Sequence, residues 1–125
     1  MTRVFFSFVT GLRCARRIGV AERMENRGDL HGALKTSAET LEILGRRSID
    51  LEAPWCRSAA SVALWSYCGV ARKLGLEREV RDMLIRWRPA YHGWIQSPAT
   101  PDERTLLQWF EDVLSDEDSR AAPRD

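Results

Sequence analysis

The sequence contains few of the residues from which catalytic, metal and disulfide sites are built. Its 125 residues include three cysteines, Cys14, Cys56 and Cys68, and two histidines, His31 and His92. An odd number of cysteines without CxxC spacing argues against a disulfide framework and favours a reducing compartment. The scattered Cys and His residues show no spacing typical of metal ligands. We therefore expect no catalytic residue, metal or cofactor, and leave open a Cys56–His92 or Cys68–His92 pair, whose members would meet only in space.

Long apolar runs and glycine-rich loops are also absent. No segment approaches the roughly 20 apolar residues that span a bilayer. The N-terminal run Val4–Val9 is shorter than the ~7–15 residues of a signal-peptide core, and no small-x-small cleavage site follows it. The glycines are isolated, so no phosphate-binding loop is present. These absences predict a cytoplasmic protein.

Lysine is scarce as well, because 17 of the 19 basic residues are arginine. This skew is typical of a GC-rich bacterial genome. Residues 1–100 carry 16 basic and 10 acidic side chains, whereas residues 101–125 carry 3 and 8. The hydrophobic fraction of 44% is sufficient for one core in a chain of this length. We predict a single all-α domain over residues 1–115 and an acidic, disordered tail over residues 116–125.

Periodic apolar residues predict two helices joined by a tight turn in the first part of the chain. The first helix is expected from about Phe5 to Asn26, although the β-prone residues 4–10 leave an extended start open. Gly28 ends this helix, and the carboxylate of Asp29 is available to cap the next one. The second helix is expected to reach about Leu44.

The same arrangement recurs in the second part of the chain. A third helix over about Pro54–Leu74 is followed by a turn at Gly75 and a fourth helix. Pro89 is expected to end the fourth helix and to begin a loop of aromatic residues. A fifth helix begins after an N-cap at Thr100 and ends near Ser115. The predicted fold is all-α, with about five helices in two stacked antiparallel helical hairpins and a C-terminal capping helix.

The repeated helix–glycine–helix pattern resembles the tetratricopeptide family of helical-hairpin repeats. The residues that carry the resemblance are Val20, Ala21, Met24, Gly28, Asp29, Ala33 and Thr40 in the first unit, and Tyr67, Cys68, Ala71, Gly75 and Val80 in the second, where Glu79 stands at a position for a small residue. The resemblance implies a concave surface, lined by the first helix of each pair, that binds a protein or peptide. The two turn glycines are 47 residues apart, against about 34 in this repeat class, so a general bundle of antiparallel hairpins is the alternative.

One aromatic and basic cluster is the candidate binding site. Arginine and aromatic side chains supply most of the energetic anchors of protein interfaces. The cluster follows Trp87, which continues an apolar helix face, and its candidate residues are Arg88, Tyr91, His92 and Trp94. Tyr91, His92 and Trp94 could instead fill the gap between the fourth and fifth helices. We predict a non-enzymatic interaction protein that binds a toxin, effector or secretion component through a helical groove and the loop from Trp87 to Trp94. Its most concrete versions are an immunity protein and a secretion adaptor or chaperone, and a homodimer is left open.

A basic stripe gives the alternative function. The stripe runs along the first helix from Arg13 to Arg27 and can neutralise phosphates, with Arg13, Arg16 and Arg17 as its candidate binding residues. Glu22 and Glu25 interleave with it farther along the helix. The alternative hypothesis is therefore a nucleic-acid-associated regulator, with a solvated helix face as the simpler interpretation.

Overall fold

A computed structural model describes residues 2–46, 54–96, 104, 105, 107–113 and 115. The helices are α1 (Thr2–Asn26), α2 (Leu30–Arg46), α3 (Pro54–Lys73) and α4 (Glu77–Gln96). A fifth helix, α5, comprises the described residues between 104 and 115. The described residues contain no strand, which confirms the predicted all-α fold. Residues 4–10, for which the sequence allows an extended start, are helical and belong to the first turns of α1.

Both hairpins are closed by a glycine in the left-handed region of backbone conformation. Gly28 has a φ of 84° and Gly75 a φ of 75°. Each turn is stabilised by the two backbone bonds of a helix C-cap, in which the glycine N–H and the following N–H donate to carbonyls of the last helical turn. The carboxylate of Asp29 also accepts a bond from the N–H of Gly32 at 3.0 Å, as predicted for the cap of α2.

The helices pack in the order expected of two stacked hairpins. α1 packs against both α2 and α3, α2 also packs against α3, and α3 packs against α4. Polar bonds join the same neighbours: Arg17 to Glu39 at 3.1 Å between α1 and α2, and Ser37 to Ser66 at 3.3 Å between α2 and α3. α3 is therefore the central helix of the stack.

One apolar core joins all five helices. Its largest fully buried apolar side chains include Leu41, Leu44, Leu64, Leu84 and Phe110. α5 contributes Phe110 and Leu107 to this core, which explains how a short C-terminal helix covers the second hairpin. Trp87 is also buried, so its predicted place on the core face of the fourth helix is confirmed.

The expected end of the fourth helix at Pro89 is wrong. α4 continues through Pro89 to Gln96, so the predicted loop containing Tyr91, His92 and Trp94 is helical in its backbone. A proline inside a helix removes the bond to the carbonyl four residues earlier, here that of Ile85. Pro89 and Ile85 are both exposed. Because water can reach this side of α4, it can satisfy the freed carbonyl while the buried face keeps the helix in place.

Several predicted features lie outside the described residues. They are the connection between α2 and α3, the N-cap at Thr100 and the acidic tail over residues 116–125.

Candidate functional site

A groove runs along one face of the molecule between α1 and α3, and we call it the α1–α3 groove. It consists of two adjoining depressions of about 410 and 350 Å³ that share Ile18 and Val62. From α1 it is lined by Gly11, Leu12, Ala15, Ile18, Glu22 and Glu25. From α3 it is lined by Ser58, Ala59, Val62, Trp65, Ser66 and Gly69.

The two helices present equivalent faces to the groove. Adding the 47-residue offset of the turn glycines to Leu12, Ala15 and Ile18 gives Ala59, Val62 and Trp65, all of which line it from the opposite side. The same offset relates Gly11 to Ser58 and Glu22 to Gly69. The groove is therefore formed by α1 and α3, which are the first helices of the two hairpins. Stacking of the hairpins leaves this face of the two helices uncovered.

Large apolar side chains in the groove are open to solvent. Leu12 is 52% exposed, Val62 38% and Trp65 54%. They lie off the buried face of their helices, which is formed by residues such as Cys14 and Leu64. Exposed apolar side chains are ordinary when scattered, but a contiguous set within a concave surface is typical of a binding site.

One end of the groove carries acidic side chains. Glu22 and Glu25 line the depression that also contains Trp65. Glu25 is paired with Lys73, whose Nζ lies 2.7 Å from Oε1, and this pair joins the C-terminal turns of α1 and α3. Glu22 is exposed and makes no hydrogen bond or ion pair with the described part of the chain. The groove thus has an apolar end at Leu12 and an acidic end at Glu22.

α5 supports the groove through Trp65. The ring centroids of Trp65 and Trp109 lie 5.9 Å apart with an interplanar angle of 39°. Trp109 also makes an edge contact with the buried Phe110. The guanidinium of Arg72 lies 6.0 Å from the centroid of the Trp109 ring. These contacts limit the positions that Trp65 can take, although more than half of its side chain remains exposed.

The predicted aromatic and basic cluster lies on α4, where the structure describes the side chain of Arg88 alone among its four residues. Arg88 is half-buried in α4. Tyr91, His92 and Trp94 lie on the same helix, but their side chains are outside the described residues. Their role in binding a partner stays a prediction.

The basic stripe on α1 is partly neutralised. Arg13 and Arg16 are exposed, whereas Arg17 is half-buried and donates to Glu39 on α2 at 3.1 Å. One of the three predicted phosphate-binding cations therefore already has an anionic partner within the fold.

The cysteines are placed as core residues. Cys14, Cys56 and Cys68 are all buried, and none of the three forms a disulfide. Burial raises the pKa of Cys14, and the nearby Arg13 and Arg17 only partly oppose this effect. A buried neutral thiol is a poor nucleophile. Within the described residues, no three His, Cys, Asp or Glu side chains lie close enough together to hold a metal ion.

The sequence prediction missed Leu12, Val62 and Trp65 as site residues. Their helical spacing does not distinguish them from core residues, because the apolar face of a helix is usually its buried face. The signal that distinguishes them is a second apolar stripe, beside the stripe of core residues, that recurs at the 47-residue offset.

Among the described residues, no helix is both long and apolar enough to cross a membrane.

The fold and groove define the protein as an all-α protein of stacked helical hairpins. No protein-family model, curated protein or solved structure matches the chain.

Proposed function

We propose that the protein is a non-enzymatic interaction module that binds a segment of a partner protein in the α1–α3 groove. The observation that carries this proposal is the contiguous exposure of Leu12, Val62 and Trp65 in a groove between equivalent helices. Burying such side chains against a partner removes apolar surface from water, and aromatic residues in pockets are frequent anchors of binding energy.

The resemblance to tetratricopeptide repeats supports binding at the same surface. That resemblance implies a concave surface lined by the first helix of each pair, and α1 and α3 are those helices here. The function itself does not follow from the fold, so the exposed side chains of the groove are the stronger support.

An immunity protein and a secretion adaptor or chaperone are the most concrete versions of this function. Both would act on a protein partner. We propose that the partner and the protein meet in a bacterial cytoplasm. They differ in the partner, which is a toxin in the first case and a secreted effector or secretion component in the second. Nucleic-acid binding through Arg13, Arg16 and Arg17 is the weaker alternative, because Arg17 already pairs with Glu39.

The test compares capture of the partner by matched surface variants. The wild-type chain and the variants Leu12→Glu, Val62→Glu and Ile85→Glu are immobilised and exposed to extract of the source cell. Ile85 is 41% exposed on α4 and outside the groove, so it controls for the general effect of adding a charge at an apolar surface position. We expect one protein to bind in stoichiometric amount to the wild type and to Ile85→Glu.

The two groove variants should bind that protein at least about tenfold more weakly, because a carboxylate would be buried at the interface. Circular dichroism checks that all variants are folded. Equal capture by all four proteins would show that the groove is not the binding surface.

A further inference from the structure

The acidic end of the groove contains a charged side chain, Glu22, that has no partner among the residues that the structure describes. Glu22 and Trp65 line the same depression from opposite helices. Neighbouring Glu25 forms an ion pair with Lys73, whereas Glu22 forms no ion pair with the described residues. A ligand that occupies this depression therefore meets one uncompensated carboxylate and one exposed indole ring.

A basic side chain is complementary to this pair of groups. A lysine ammonium or arginine guanidinium binds a carboxylate by charge-assisted hydrogen bonds. The same cation is attracted to the face of a tryptophan ring, and this attraction grows when water is displaced. An acidic side chain in the same place would face Glu22 at short range, which is unfavourable.

The acidic tail of the chain itself is a poor occupant. Its sequence Asp116-Glu117-Asp118 has the same sign of charge as Glu22. A basic segment of another protein that also carries an apolar side chain is complementary to both ends of the groove, the apolar end at Leu12 and the acidic end at Glu22.

We propose that the α1–α3 groove binds an extended basic segment of a partner protein, with a bulky apolar side chain at Leu12 and Val62 and a Lys or Arg side chain between Glu22 and Trp65. This inference rests on the proposed function and specifies the partner's chemistry. Leu12 and Glu22 are ten positions apart on α1, which corresponds to about 15 Å at 1.5 Å per residue. An extended chain covers that distance in about four or five residues. Because Val62 and Trp65 are only three positions apart on α3, this number is the upper limit of the spacing between the apolar anchor and the cation.

Peptide selection on the full chain tests this spacing without knowledge of the natural partner. Random 12-residue peptides displayed on phage are selected on wild type, Leu12→Glu, Glu22→Lys and Glu42→Lys. Glu42 is an exposed residue of α2 that does not line the groove, so Glu42→Lys makes the same change in net charge elsewhere. Peptides that bind wild type but not Leu12→Glu are groove-dependent.

We expect groove-dependent peptides to carry Lys or Arg within about five residues of a bulky apolar residue. Wild type and Glu42→Lys should bind them at least about tenfold more tightly than the same peptides with Glu in place of the cation. Glu22→Lys should reverse this order.

The possible failures separate the two proposals. Groove-dependent peptides without this cation, or an unchanged preference in Glu22→Lys, would overturn the inference on partner chemistry and leave the groove as the binding surface. If no peptide depends on Leu12, the peptide-binding groove and the partner chemistry inferred for it are both wrong.

Discussion

Gly28 and Gly75 occupy equivalent positions in the two hairpins. Both have a positive φ, and each donates its N–H to the carbonyl three residues earlier at 3.0 Å. The next N–H, of Asp29 in one turn and Leu76 in the other, donates at 2.8 Å to the carbonyl five residues earlier. The two turns are therefore the same structure repeated after 47 residues, and the same offset relates the residues of α1 and α3 that line the groove.

Replacing either turn glycine by alanine should destabilise the protein. An L-residue with a Cβ adopts the left-handed conformation at a cost of about 1–2 kcal/mol. Nothing lies within 4 Å of the position that a Cβ would take at Gly28 or Gly75, so the cost is one of backbone conformation and not of collision. Urea unfolding followed by circular dichroism should show a decrease of about 1 kcal/mol or more in the free energy of unfolding for Gly28→Ala and for Gly75→Ala.

A matched control for the turn glycines is available inside α1. Gly19 is helical, and a Cβ there would make ordinary contact with the Arg23 side chain at 3.7 Å. Gly19→Ala should therefore raise the free energy of unfolding by up to about 1 kcal/mol, because alanine is the better helix former. Destabilisation by all three substitutions to a similar degree would contradict the role of positive φ at the two turns.

The predictable part of this fold is the part governed by local chemistry. The turns at Gly28 and Gly75 and the cap at Asp29 follow from which residues tolerate a positive φ or accept a bond from a helix N-terminus. The helix faces follow from periodicity. The continuation of α4 through Pro89 was not predictable in this way, because it depends on which side of the helix faces water once the helices have packed.

The groove illustrates the same limit for the functional site. The helical spacing of Leu12, Val62 and Trp65 marks them as apolar residues on helices, but the pattern of one helix does not show whether a neighbour covers them. Their exposure is decided by the packing of α1 and α3 side by side. The aromatic cluster after Trp87 was favoured instead because a proline normally ends a helix and loops often carry binding residues.

Replacing Pro89 by alanine should stabilise the protein. The substitution supplies an N–H for the carbonyl of Ile85 and removes the clash of the proline ring, an effect of up to about 3 kcal/mol in a helix interior. Pro89 is exposed, so little packing is lost. Thermal and urea unfolding should both show an increase in stability for Pro89→Ala, whereas Arg86→Ala, an exposed change one turn earlier, should alter it by less than about 0.5 kcal/mol. A lower stability of Pro89→Ala would indicate that the fold requires the proline at this point.

The buried thiol of Cys14 should make stability fall at alkaline pH. Burial raises its pKa above the ordinary value of 9.0, so the unfolded chain releases this proton at a lower pH than the folded protein does. Raising the pH through 9.0 therefore favours the unfolded state. The contribution of the neutral thiol to the free energy of unfolding is lost progressively until the pH passes the pKa of Cys14 in the folded protein. Tyr67 acts in the same direction above its ordinary value of 10.0, because burial also raises its pKa.

Cys14→Ala separates the thiol from the other groups. Alanine leaves a small cavity, so the variant should be less stable than wild type at pH 7.5. Between pH 7.5 and pH 9.5, however, the free energy of unfolding should decrease less in Cys14→Ala than in wild type, because the variant has no thiol to titrate at this position. Urea unfolding at the two pH values measures both decreases under reducing conditions. An equal decrease in the two proteins would mean that the Cys14 thiol titrates alike in the folded and unfolded states.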